Sequence, residues 1–169
     1  MAKKRACVRL DDYRFPNTDI FSVRINGEME NGFVGKLGDV EANNRDIRTL
    51  ETPVAGDSLV LIANPALNYD ESRLAGLETN YYMEAGDAVR AYTPRPTMKF
   101  AITKEAINGT HTVGEYLVAG AGHKLVPSDT VPATGFAAKI IREEPVGGAL
   151  AINVTHEPTV YVVLDVVQN

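Results

Sequence analysis

The chain has one cysteine, Cys7, and no tryptophan. A single thiol cannot form an internal disulfide or supply the thiolates of a structural zinc site, so neither is expected to hold the fold. Cys7 suits a reducing compartment and reads as a buried or indifferent small residue. Histidine is nearly as scarce: His111, His123 and His156 lie in or beside predicted turns, match no H-x-x-x-H pattern, and read as surface residues. No apolar run approaches the ~20 residues that a membrane helix requires. The basic opening "MAKKRACVRLDDYRF" has no apolar stretch behind it, so export by a signal peptide is not expected. The sequons at Asn108 and Asn153 are read accordingly as coincidental.

Positive charge is also in short supply outside the opening segment. Residues 1–14 hold Lys3, Lys4, Arg5, Arg9 and Arg14 against Asp11 and Asp12, a net +3. The remainder holds 12 basic and 20 acidic residues, which brings the chain of 169 residues to −5. A net-negative body repels phosphate backbones, so nucleic acid is not an expected partner, and neither is a membrane. The basic start reads either as an arm that seeks an acidic surface or as a solubilising terminus.

Strand patterns are what the chain does have. "FSVRI" alternates Phe21, Val23 and Ile25 with polar residues. It runs into Asn26–Gly27, the dipeptide best suited to a two-residue hairpin turn. A second Asn–Gly, at 31–32, precedes "FVGKLGDV". "SLVLIA" is continuously apolar and predicts burial on both faces. "AVRAY", "MKFAI" and "EYLVA" follow, then two longer runs, "GFAAKIIREEP" and "TVYVVLDVVQN". The last places Val160, Val162, Leu164 and Val166 on one face, and its β-branched content predicts a central or barrel-closing position. Helix is scarce: Leu74, Leu77 and Tyr81 predict one over about 70–83, and "TKEAI" adds a single turn.

The expected fold is mainly β, a compact barrel or sandwich with one or two short helices and an extended N-terminal arm. Its parts are an arm over 1–20, a β-rich lobe over 21–95, and a barrel-like domain over 96–169, with a composition shift near "YTPRPT" at the junction. One undivided domain is the alternative.

Catalytic patterns are absent. "YLVAGAGHKLV" superficially resembles a phosphate-binding loop, but His123 precedes Lys124, Leu125 replaces the magnesium-binding hydroxyl, and no helix follows. It reads instead as a hairpin, with "EYLV" and "KLVP" as the strands. No G-x-S-x-G string occurs, and the adjacent acids Glu143–Glu144 and Asp70–Glu71 do not converge from separate elements. The expectation is a non-enzymatic protein with no cofactor and no metal. Tyr69, Tyr81, Tyr82 and Tyr92 cluster in one stretch; they are candidates for a protein interface or for the chain's own core.

The order "NGFVGKLGDV…RTLETPVAGDSLVLIANPALNYDES", "EAGDAVRAYTPRPTMKFAITKEAI", "VGEYLVAGAGHKLVPSDT", "ATGFAAKIIREE" and "TVYVVLDVVQN" resembles the capsid decoration, or cement, proteins of tailed bacteriophages, over about 31 to 169. The resemblance implies a β-rich homo-oligomeric module on the outer face of the virion head, bound to the major capsid protein lattice after assembly in the host cytoplasm. The family has no active site to carry over. With the partner-contact candidates Lys3, Lys4, Arg5, Arg9, Tyr69, Tyr81, Tyr82 and Tyr92, it makes a structural virion protein the leading expectation. A small-molecule or carbohydrate-binding β-module, or another head or tail component, is the alternative.

Overall fold

The computed structural model describes residues 4–10, 18–65, 80–146 and 158–169. In chain order the strands are β1 (Val8–Arg9), β2 (Ile20–Arg24), β3 (Val34–Glu41), β4 (Asn44–Glu51), β5 (Val60–Ile62), β6 (Ala88–Tyr92), β7 (Lys99–Thr103), β8 (Tyr116–Val118), β9 (Val126–Ser128), β10 (Ala137–Val146) and β11 (Thr159–Gln168). A 3₁₀ turn, Lys104–Ala106, follows β7 where "TKEAI" predicted a single turn. The protein is mainly β.

Strands β2 to β6 close into a barrel in the order β2-β4-β3-β5-β6; β1 and β7 to β11 form a six-stranded sheet, β1-β7-β11-β10-β8-β9. The closed barrel therefore lies in the first half of the chain and not in residues 96–169, where the sequence had placed it. Among the described residues the later strands stay open, because β1 pairs only with β7 and β9 only with β8. The chain passes from barrel to sheet through Arg95–Met98, where the Met98 N–H donates to the Arg95 carbonyl at 3.1 Å. Pro96 and Thr97 occupy the central positions, and Thr97 has φ 73. This is type II turn geometry with a β-branched residue where glycine is usual, a strain of roughly 1–2 kcal/mol. The Thr97 N–H donates to the Val166 carbonyl at 2.9 Å, which ties the turn to β11.

Strand β5 explains how the two sheets form one body. Its apolar run is buried throughout, as "SLVLIA" predicted, and the alternation divides it between two cores. Leu61, and Leu59 just before the strand, pack with Phe100, Ile102, Phe136, Val162 and Leu164 of the sheet side. Val60 and Ile62 pack with Val23, Ile25, Leu50, Val89 and Ala91 inside the barrel. Phe33 touches both clusters. Each fully buried Leu or Ile here contributes about 1.5–3 kcal/mol. Strand β11 is central, between β7 and β10, as its β-branched sequence indicated. Val162, Leu164 and Val166 face the larger core; Tyr161 and Val163 face a small cluster with Cys7 and Ala101.

Other expectations change. Asn26–Gly27 does not close a hairpin: β2 is hydrogen-bonded to β4 in parallel and to β6 antiparallel, and the chain leaves the bend toward a bridge between Met29 and Met83. Both pairing edges of β2 are occupied by strands distant in sequence, so the local turn signal has no adjacent partner strand. The barrel's two-residue hairpin lies instead at Ala42–Asn43, between β3 and β4. Most of the predicted helix over 70–83 lies outside the described residues, but its end is not helical, because Met83 is buried in the bridge to Met29. The "YLVAGAGHKLV" hairpin does form, with Tyr116 opposite Ser128 and Val118 opposite Val126.

Candidate partner-binding surface

Residues 4–10 do not project as an arm. Their anchor is Glu30, whose side chain is 4 % exposed and whose carboxylate accepts the Ala6 N–H at 2.7 Å and Arg5 Nη1 at 2.9 Å. Arg5 also pairs with Glu28, and its guanidinium lies over the Tyr82 ring, 4.4 Å from the centroid. Glu30, then Glu28, holds the Arg5 pKa above its ordinary value. Further along, the Cys7 N–H donates to Thr103 Oγ1 at 3.1 Å, and the Thr103 N–H donates to the Cys7 carbonyl at 3.0 Å. Strand β1 then extends the sheet beside β7. Arg9 stacks on Tyr161 at 4.2 Å, and Lys4 Nζ donates to the Pro158 carbonyl at 3.2 Å. Lys4, Arg5 and Arg9 thus all contact the chain's own body.

The tyrosines have different surroundings. Tyr81 packs on the barrel core, and its hydroxyl accepts Asn64 Nδ2 at 2.8 Å. Asn64 in turn exchanges two hydrogen bonds with buried Asn31, at 2.8 and 2.9 Å. Tyr92 is half-buried in β6, opposite Ile20 and Leu61. Tyr82 is exposed and carries Arg5 on its face. Of the eight candidates, the structure brings together Arg5 and Tyr82; Arg9 stands with Tyr161, which the sequence did not single out. Lys3 and Tyr69 lie outside the described residues.

The two described histidines, His111 and His123, are not surface decorations. His123, in the β8–β9 loop, is fastened to β3: the Val34 N–H donates to its carbonyl, and its Nδ1 donates back to the Val34 carbonyl, each at 2.9 Å. A carbonyl only accepts, so Nδ1 carries the proton and Nε2 faces Thr52 Oγ1 at 3.4 Å. Lys124, once a candidate for phosphate, lies 5.4 Å from the Phe33 ring centroid. His111 is 11 % exposed with Nε2 3.1 Å from Glu143 Oε1, yet Nε2 makes no hydrogen bond. His156 lies outside the described residues.

Between the 26–29 segment and β4 runs an open groove of about 420 Å³, rimmed by Glu28, Thr49, Glu51, Thr52 and His123 with Met29 among its lining. Among the described residues no three His, Cys, Asp or Glu side chains gather closely enough to hold a metal ion.

Two carboxylates outside this groove make the stability of the fold depend on pH. Asp57 is held below the ordinary range first by the Val54 N–H, at 2.9 Å, and then by Lys36, at 3.2 Å. Glu41 is lowered by its hydrogen bond from Arg24, at 2.7 Å. With both folded pKa values depressed, the unfolded chain binds more protons in acid. Their stabilisation is therefore complete above the ordinary carboxylate pKa of about 4 and is lost as pH falls through the folded values. Urea midpoints measured across this window should decline into acid, and Asp57→Asn should flatten the decline. An unchanged acid limb in that variant would remove Asp57 from the account.

No family model matches the chain, and no match was found among curated proteins or solved structures.

Proposed function

We propose that this chain is a structural virion protein that binds the outer surface of a tailed-phage head and stabilises the capsid lattice as a decoration protein. The likeness in segment order introduces the reading. The observation that carries it is how the chain's polar groups are used: Arg5, Glu30, Asn31, Asn64, His123 and Asp57 brace the N-terminal segment, loops and strands against one another. Such bracing yields a rigid surface, and rigid surfaces lose little entropy when they dock. A protein that binds the assembled shell better than loose subunits stabilises the shell, and many copies multiply weak contacts. The net charge of −5 favours the exterior of a shell over its DNA-facing interior.

Cosedimentation with expanded heads assembled without this protein tests the reading. Saturable binding that raises the temperature at which heads release DNA is the expected result. The groove beside Thr49 and Thr52 favours a second reading, a carbohydrate-binding module, because its carboxylates and hydroxyls can receive and donate hydrogen bonds to sugar hydroxyls. Protein that ignores the heads but binds a saccharide in that groove would replace the first reading with the second.

A further inference from the structure

The chain contains three Asn–Gly pairs, at 26–27, 31–32 and 108–109, and the fold treats them unequally. Asn–Gly is the sequence most open to intramolecular deamidation, because glycine has no side chain to shield its nitrogen. The reaction still requires that nitrogen to reach the asparagine Cγ, so local structure decides which pair can react.

Asn31–Gly32 is closed to it. Asn31 is 5 % exposed, and both polar atoms of its amide are bonded to the Asn64 backbone. The Gly32 N–H donates to the Ile62 carbonyl at 2.9 Å, and Gly32 lies against the Cys7 carbonyl and Ile102. Asn108–Gly109 is exposed but anchored: the Asn108 N–H donates to the Leu125 carbonyl at 2.8 Å, and Gly109 rests on Pro127. Asn26–Gly27 is open. Both residues are exposed in the bend after β2, and no atom lies within 4 Å of where a Gly27 Cβ would stand. Among the described residues, neither the Asn26 amide nor the Gly27 N–H makes a hydrogen bond.

We infer that Asn26 is a site of spontaneous deamidation in the folded protein, with Asn31 protected. The Gly27 nitrogen bonds to Asn26 Cγ, the Cγ–Nδ2 bond breaks, and the amide nitrogen leaves as ammonia with the proton from Gly27. Solvent water then opens the succinimide at either carbonyl and yields aspartate or isoaspartate. Each event places a new carboxylate on the groove rim beside Glu28, so the site makes the charge of this surface change with the age of the protein.

Peptide mapping by mass spectrometry, after incubation of the folded and the urea-unfolded chain at mildly alkaline pH, tests the inference. In the folded protein Asn26 should convert within a few-fold of its unfolded rate. Asn31 should be slowed on the order of a hundredfold, because three hydrogen bonds must open first. Gly27→Ala fits the open space, should leave the unfolding midpoint in place, and should slow Asn26 conversion by about tenfold or more. Asn26 that stays intact in the folded state, Asn31 that converts as fast, or a Gly27→Ala variant as labile as the parent would each overturn the assignment.

Discussion

Glu30→Ala should lower the free energy of unfolding by about 3 kcal/mol, read from urea midpoints at constant slope. Glu30 is buried at 3 % exposure and receives both the Ala6 N–H and Arg5 Nη1. Truncation leaves a buried N–H without its acceptor and takes from Arg5 its more buried counter-charge. The estimate sits at the lower end of the range for breaking a buried pair, because Arg5 retains Glu28. Glu28→Ala is the control: its side chain is 53 % exposed, and an exposed ion pair is worth at most about 1 kcal/mol. Glu30→Gln, which keeps the shape and one acceptor, should fall between the two. Equal effects of the two alanine variants would show that Glu30 does not anchor the N-terminal segment.

Gly135→Ala should cost a similar amount, about 3 kcal/mol, for a steric reason. Gly135 leads into β10 with φ +85, and an added Cβ would stand 2.7 Å from the Asp57 carbonyl oxygen and closer still to the Gly56 carbonyl. Backbone cannot swing aside as a side chain can. The neighbouring Phe136 N–H donates to that same Asp57 carbonyl at 3.0 Å, so relief of the clash would break this bond too. Gly86 separates the two contributions: its φ is +93, but nothing lies within 4 Å of its Cβ position, so Gly86→Ala should cost only about 1 kcal/mol. Thermal unfolding of the two variants reads the difference, and equal losses would refute the packing account.

The elements legible in the sequence were those whose local pattern matched their final surroundings. Strand β5 was apolar because both of its faces are covered, and β11 was β-branched because it lies between two strands. Strand β4 escaped notice for the opposite reason. Its residues, "NRDIRTLE", bury only Leu50 fully, and its charges face outward, with Arg48 near Phe21 and bonded to the Gly38 carbonyl. Strand β1 was hidden by length: two residues hold no periodicity, and its partners lie far away in sequence, as Cys7 and Thr103 show. The basic opening looked like an extended arm since nothing in the local sequence marks Glu30 as the buried carboxylate that receives it. His123 looked superficial because its ring is held by a backbone carbonyl, and carbonyls leave no trace in a sequence. The interface candidates scattered for a related reason: closeness along the chain placed four tyrosines together, whereas the fold assigned the three described ones to different neighbours.

Strand β5 sits like a party wall between adjoining rooms. Leu59 and Leu61 furnish one side, Val60 and Ile62 the other, so neither half can be excised without stripping a lining from what remains. Damage on either side is therefore shared, and the molecule melts or survives as a unit. That indivisibility means a load received at one end is carried by the whole.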